Sequence, residues 1–230
     1  MIRGIDMRLH VRDEGSGAMT LLFVHGLGAS GATWDGCVAA LSPRCRCVTV
    51  DLLGHGASPV PDDPAEYTRD GALADLDDVI AAVSAPVVLV GHSLGGYLSL
   101  AHAATRPGAA AGVVVLNTGP GFRDPDKREA WNERSRRNAH RFGVPPQAAE
   151  LNLQHDSVVM DRLAEIAVPT LVLAGELDRP EYANSGQYLE RKMPDARLQV
   201  IAGGEHNMQE THAVEVSAAI EQFLERSVSR

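Results

Sequence analysis

Residues 87–100, VVLVGHSLGGYLSL, constrain the fold more than any other stretch of the chain. An apolar run of strand character leads into Gly91-His92-Ser93-Leu94-Gly95, and an apolar helical pattern follows at once. A serine at such a strand-to-helix turn is held in a strained, exposed position at the edge of a sheet. Side chains at 91 and 95 would collide with neighbouring backbone, so glycine suits both. The free N–H groups at the start of the helix face the same point and can meet developing negative charge. Ser93 is therefore either a helix cap or a nucleophile, and the rest of the chain has to decide.

Six further runs read as strands: 5–12, 20–26, 46–51, 111–117, 169–175 and 197–203, with 86–93 between the third and fourth. Their continuous Val and Leu content fits strands covered on both faces, as in a parallel sheet. Helical spacing covers 31–41, 70–83, 94–105 and 210–226. The last places Val214, Val216, Ile220, Phe223 and Leu224 mostly inward. Strands alternating with helices predict a three-layer α/β fold. The 230 residues, 44% hydrophobic, suffice for one large core.

Residues 119–167 break the rhythm. TGPGF at 118–122 is a turn, and helical spacing then sets Trp131, Ser135, Asn138 and Phe142 on one face. GVPP at 143–146 ends that helix, and shorter helices are expected over 148–155 and 158–166. The stretch reads as a small helical cap dividing the core into 1–118 and 168–230.

A net charge of −9 leaves no footprint for nucleic acid or an anionic membrane. The cluster Arg134, Arg136, Arg137 and Arg141 follows Asp124, Asp126, Glu129 and Glu133, and reads as a solvated helix face. No apolar run is long enough to span a bilayer, and the N-terminus lacks the apolar stretch of a secretory leader. A cytoplasmic protein is expected. Cys37, Cys45 and Cys47 show no metal spacing and read as free, buried thiols.

A serine hydroxyl needs a base to take its proton. In this fold class the partners follow in the order serine, acid, histidine, on loops after later strands. PTLVLAGELDRP ends a strand and offers Asp178; RLQVIAGGEHNM ends the last strand and offers His206. All three positions follow the C-terminal edge of parallel strands, so they can meet on one side of the sheet. His206 is then the base, and Asp178 orients and stabilises its imidazole. Glu176, Asp195, Asn117, Asp124, His212 and His92 are weaker candidates. His92, inside the turn, is expected to point away from Ser93, and His212 is expected in the first turn of the last helix. The oxyanion donors are assigned to the N–H of Leu94 and, after the second strand, the N–H of Leu27, with Gly26 allowing close approach. His25 braces that loop. His25, His55 and His92 carry no recognised metal-ligand spacing.

With these residues in place the chain resembles the α/β-hydrolase superfamily, in particular its small cap-bearing serine hydrolases. HGLG at 25–28 resembles the oxyanion loop, DLLGHGAS at 51–58 a chiefly structural loop around Asp51, and GHSLGG at 91–96 the nucleophile elbow. GELD at 175–178 resembles the acid loop, and His206 stands where the family has its histidine. The resemblance implies a cap inserted after the sixth strand of the family's count, no cofactor, and a small-molecule carbonyl substrate. A homodimer is compatible with it. Glu205 departs from the usual glycine before the histidine, and Glu210-Thr211-His212 lacks the usual proline. A serine in place of aspartate at 93 speaks against dehalogenase and epoxide-hydrolase chemistry. The expected activity is hydrolysis of a small or medium ester, lactone or thioester through an acyl-enzyme, with Trp131 and Phe142 lining an apolar pocket. Alternatives are a C–C bond hydrolase or lyase with the same triad, favoured by an arginine such as Arg134 or Arg137 facing a substrate carboxylate, and a ligand-binding protein that retains the triad.

Overall fold

The structure, a computed structural model, describes residues 7–83 and 85–228. Among these residues seven strands form one sheet in the order β1-β3-β2-β4-β5-β6-β7. They are β1 (Val11–Glu14), β2 (Thr20–Val24), β3 (Arg46–Val50), β4 (Val87–His92), β5 (Gly112–Leu116), β6 (Thr170–Gly175) and β7 (Ala196–Ile201). Only β1 runs antiparallel, against β3, with Val11 opposite Val50. The other five pairings are parallel.

The expected strand over 5–12 is displaced. Ile5 and Asp6 lie outside the described residues, and the ladder begins only at Val11. The reason lies in His10, whose N–H goes to the Ser58 hydroxyl (2.8 Å) and whose carbonyl accepts from Asp51. The chain is spent on the 51–58 loop there rather than on a neighbouring strand.

Alternation along the strands sorts the core into two layers. Leu22, Val24, Leu89, Val113 and Val115 face one side, against Leu73, Leu76 and Val79 of α2 (Arg69–Ala82) and Leu98 and Ala101 of α3 (Leu94–Thr105). Leu21, Phe23, Val88, Val90 and Val114 face the other. They meet Cys37, Val38 and Leu41 of α1 (Asp35–Leu41), which follows a short 3-10 turn at 31–34. The three cysteines are free and buried, and burial pushes the thiols of Cys37 and Cys47 up to about 11 and about 12.

Between β5 and β6 lies no strand. Asp124 caps α4 (Pro125–Asn138) by accepting from the amides of Asp126 and Lys127. Gly143, at φ 66°, closes the 3-10 turn that follows. The helix expected over 148–155 is instead a 3-10 run, Pro146–Asn152, and α5 (Val158–Arg162) is one short helix followed by another 3-10 turn. Paired prolines set the first turn, and side chains of α4 hold the segment. Asn132 exchanges two 2.9 Å hydrogen bonds with the Gln154 backbone, and Trp131 Nε1 donates to Asn152 O. A bidentate Arg69–Asp156 pair (2.7 and 2.9 Å) ties this excursion to α2. It follows the fifth strand among the described residues, where the family's count made it the sixth.

Three helices complete the chain differently from expectation. The sequence reading offered none over 180–192, yet α6 (Pro180–Lys192) lies there. The expected helix over 210–226 is two, α7 (Met208–Thr211) and α8 (Ala213–Phe223), broken at His212, whose Nδ1 bonds the Thr211 hydroxyl. His212 thus stands at the junction rather than within the first turn. The break rotates the register, so Val214 is 75% exposed rather than inward, while Val216, Ile220 and Phe223 are buried. Among the described residues no helix is long and apolar enough to cross a membrane.

Candidate active site

Ser93 adopts φ 51° and ψ −112° between β4 and α3, a conformation that L-residues rarely hold. Its side chain makes no capping hydrogen bond. The turn is held from both sides: Ser93 N–H donates to Leu116 O (2.9 Å), and Ser93 O accepts from Tyr97 N–H and the Thr118 hydroxyl. Gly91 and Gly95 permit it. A Cβ at 95 would fall against the Val24 carbonyl and 2.7 Å from His25 O; one at 91 would strike the Gly95 carbonyl.

The loops after β6 and β7 bring Asp178 and His206 to this point. His206 Nδ1 lies 2.8 Å from Asp178 Oδ2, and Nε2 lies 3.2 Å from Ser93 Oγ. With the proton on Nδ1, the imidazole donates to Asp178 and its Nε2 accepts from the serine hydroxyl. The Asp178 side chain is 3% exposed, which strengthens its hold on a charged imidazole. It also accepts from Arg179 N–H at 2.7 Å.

The other candidates have different duties. Glu176 accepts from Gly203 N–H, and Asp124 caps α4. Asp195 lies before β7, where its carbonyl accepts from Thr170 N–H. Asn117, at φ 47°, accepts from Gly175 N–H and donates to the carbonyls of Glu205 and His206. It therefore clamps the acid loop to the histidine loop. Asp51 collects the amides of Gly31 and Ala57 and the ring of His10. Against the cost of burial, these hold its carboxyl below the usual range. His25 braces its loop through Leu52 N–H and Gly26 O.

His92 does not point away from the site. It packs behind it, ring centroid 4.9 Å from that of His206, and its Nε2–H donates to the His206 carbonyl at 2.8 Å. A glycine at 26 leaves it room. Burial, and then the proximity of His206, pushes its pKa down to about 3; burial and His55 take His25 to about 4. Both are near 6.5 in the unfolded chain. Below pH 6.5 the unfolded state therefore binds more protons than the folded one. Stability is complete above pH 6.5 and falls as the pH drops toward those folded values, by up to about 1.4 kcal/mol per pH unit for each histidine. Urea midpoints measured at pH 7.5, 6.5 and 5.5 should decline across the last interval; a flat profile would refute the neutral assignment.

One residue that the sequence reading missed stands at the centre. Tyr182 of α6 stacks on His206 with ring centroids 4.7 Å apart, and its hydroxyl accepts from Arg179 at 2.9 Å. The signal was present: Pro180 opens the segment, and Tyr182, Gly186, Leu189 and Met193 recur at helical spacing. Two cavities, of about 360 and 480 Å³, open on Ser93 and share Trp131, Arg134, Asn152, Arg179 and Tyr182. Leu94 lines the first; Leu27 lines the second, together with Ser135, Asn138 and Phe142 from the expected face. Phe142 is 47% exposed and packs on the 25–28 loop, where Gly28 at φ 75° has no room for a Cβ.

A mostly parallel sheet, helices on both faces and a serine, histidine and aspartate beyond its strand ends define an α/β protein of hydrolase architecture. The chain belongs to the alpha/beta hydrolase family, whose profile matches residues 21–219. It is 38% identical over 116 residues to the pimeloyl-[acyl-carrier protein] methyl ester esterase of Methylococcus capsulatus, covering 50% of this chain and 43% of that protein. It is 24% identical over 258 residues to the 2-(acetamidomethylene)succinate hydrolase of Mesorhizobium japonicum, covering 94% and 91%. Among solved structures, the enol-lactonase from Burkholderia xenovorans LB400 has the same fold, with a TM-score of 0.79 and 21% identity, covering 95% of this chain and 96% of that one. The family, the esterase and the succinate hydrolase support hydrolase activity.

Proposed function

We propose that the protein is a serine hydrolase that cleaves a small or medium ester, lactone or thioester through an acyl-enzyme. The observation that carries this reading is the hydrogen-bonded chain Asp178–His206–Ser93, ending in a hydroxyl that faces two cavities. Ser93 Oγ attacks the carbonyl carbon while His206 Nε2 takes its proton, and Asp178 holds the resulting imidazolium. The N–H groups of Leu94 and Leu27 receive the oxyanion; Leu94 begins α3, where no preceding turn accepts its amide. His206 then gives the proton to the leaving alcohol or thiol. Water enters, loses a proton to the same nitrogen and releases the acid.

Residues 119–167 serve as a cap, with Trp131 and Phe142 bounding the space over Ser93. Three features support an unobstructed nucleophile: the serine caps nothing, His206 keeps Nε2 for it, and the strained turn costs stability that only a function explains. The test is a fluorophosphonate probe followed by peptide mapping. A single adduct on Ser93, abolished by prior acid unfolding, is the expected result. A folded protein that takes no label at Ser93 would sink the mechanism.

A further inference from the structure

We infer that the substrate carries a carboxylate away from its scissile carbonyl, held between Arg134 and Arg179. This rests on the hydrolase reading above and names its substrate class.

The charges lining the two cavities are unbalanced. Lys127, Arg134, Arg141 and Arg179 supply four cations, against Glu181 in one cavity and Glu210 in the other. The whole chain, by contrast, carries −9. Among the described residues none of these four cations takes part in an ion pair. Several nearby arginines that face elsewhere do: Arg69 with Asp156, Arg123 with Asp161, Arg136 with Glu129 and Glu150, and Arg162 with Glu165, although Arg128 and Arg137 of α4 form no such pair among the described residues. Among the described residues the guanidiniums beside Ser93 therefore meet no carboxylate, and what sets them apart from other unpaired arginines is their place on the cavity walls.

The two central arginines are also held in place. Arg134 lies over the Trp131 ring at 5.1 Å, and Arg179 over the Tyr182 ring at 4.9 Å. Stacking on an aromatic face restrains a guanidinium without using its donors on a carboxylate, so less freedom is lost when an anion arrives. Both arginines line both cavities with Ser93, and Tyr182 stands in the field of both. A planar guanidinium fork matches a carboxylate in two parallel hydrogen bonds. Leu94, Tyr97, Phe122 and Ala130 line the first cavity and suit the methylenes between the two ends of a short diacid.

The half-esters monomethyl succinate, glutarate and adipate, set against methyl butyrate, valerate and hexanoate, test this by proton release. Ester and water yield acid and methanol, and the acid's proton is the readout. At least about a tenfold higher kcat/KM for one half-ester over its neutral counterpart is expected, as for charge-assisted contacts at a partly exposed site. Arg134→Gln or Arg179→Gln should cut that preference about threefold or more, through KM of the half-ester. Arg137→Gln makes the same charge change on α4, at an exposed residue that lines neither cavity, and should leave the preference intact.

A binding arm needs no turnover. Glutarate titrated into Ser93→Ala should give a saturable change in tryptophan emission that Arg134→Gln weakens, since Trp131 underlies Arg134 while Trp34 is buried in the core. Hydrolysis of neutral and anionic esters alike, a preference lost equally in Arg137→Gln, or no saturable glutarate signal would overturn the inference and leave the hydrolase standing. Saturable glutarate binding without turnover of any ester or labelling of Ser93 would instead uphold the anion site and overturn the hydrolase.

Discussion

On the proposed mechanism Ser93→Ala should fold like the parent protein and turn over esters at least about 10⁴-fold more slowly, the loss expected when the nucleophile of a serine relay is removed. KM changes far less, because the groups that line the cavities remain. The fold tolerates the change because the Ser93 side chain makes no capping bond and its backbone does the holding. Ser93→Gly separates strain from chemistry. At φ 51° and ψ −112° glycine is relaxed where alanine is not. Ser93→Gly should therefore be as inactive as Ser93→Ala and more stable by about 1 kcal/mol, after allowing for the greater freedom of glycine in the unfolded chain. Urea unfolding of the two variants measures that difference. Retained turnover in Ser93→Ala would dismiss the nucleophile; a Ser93→Gly less stable than Ser93→Ala would dismiss the strain.

The largest stability effect belongs to Gly95→Ala. The added methyl would meet the Val24 carbonyl and lie 2.6 Å from its carbon, and 2.7 Å from His25 O. These are backbone atoms at the end of a central strand, so no side chain can swing aside. Either α3 shifts from β2 or the elbow opens, and because backbone cannot give way the cost should reach or exceed the upper end of the about 1–3 kcal/mol typical of core overpacking. Such a loss consumes much of a typical domain's stability. Gly95→Ala should yield mainly insoluble protein, and any soluble fraction should lack Ser93 labelling. Gly143→Ala is the comparison: a Cβ there meets nothing within 4 Å, although its φ of 66° still costs about 1 kcal/mol. Equal behaviour of the two variants would show that the close approach at Gly95 carries no such cost.

Legibility in the sequence followed the range of the interactions. Every strand of the parallel sheet lies within two residues of its expected bounds at either end; β2, β4, β5 and β6 are buried along their whole length and so almost wholly apolar, while the edge strand β7 is mostly exposed. β1 was displaced because its start depends on where His10 finds partners, at Ser58 and Asp51, more than forty residues away. The last helix was read as one because the apolar period runs through His212. Nothing in that period reports the side-chain bond to Thr211 that accompanies the break. Helix α6 was overlooked because its N-terminal half is polar and its buried face is narrow, with only Gly186 and Leu189 fully inside.

The three polar side chains that meet at the candidate site were readable for a local reason. A serine between glycines after an apolar strand, and an acid and a histidine after later strands, are each set by a few neighbouring residues and the chain order. By itself the sequence determined the strand-to-helix elbow, the order of the three polar side chains and the alternation that makes the sheet. Only the tertiary structure decided what surrounds them. It set His92 against the back of His206, used Asn117 to clamp two loops, laid Tyr182 over the imidazole and left Arg134 and Arg179 without a carboxylate among the described residues. Those relations join residues up to 114 positions apart through packing and hydrogen bonds. They depend on which surfaces meet, and no local pattern encodes that.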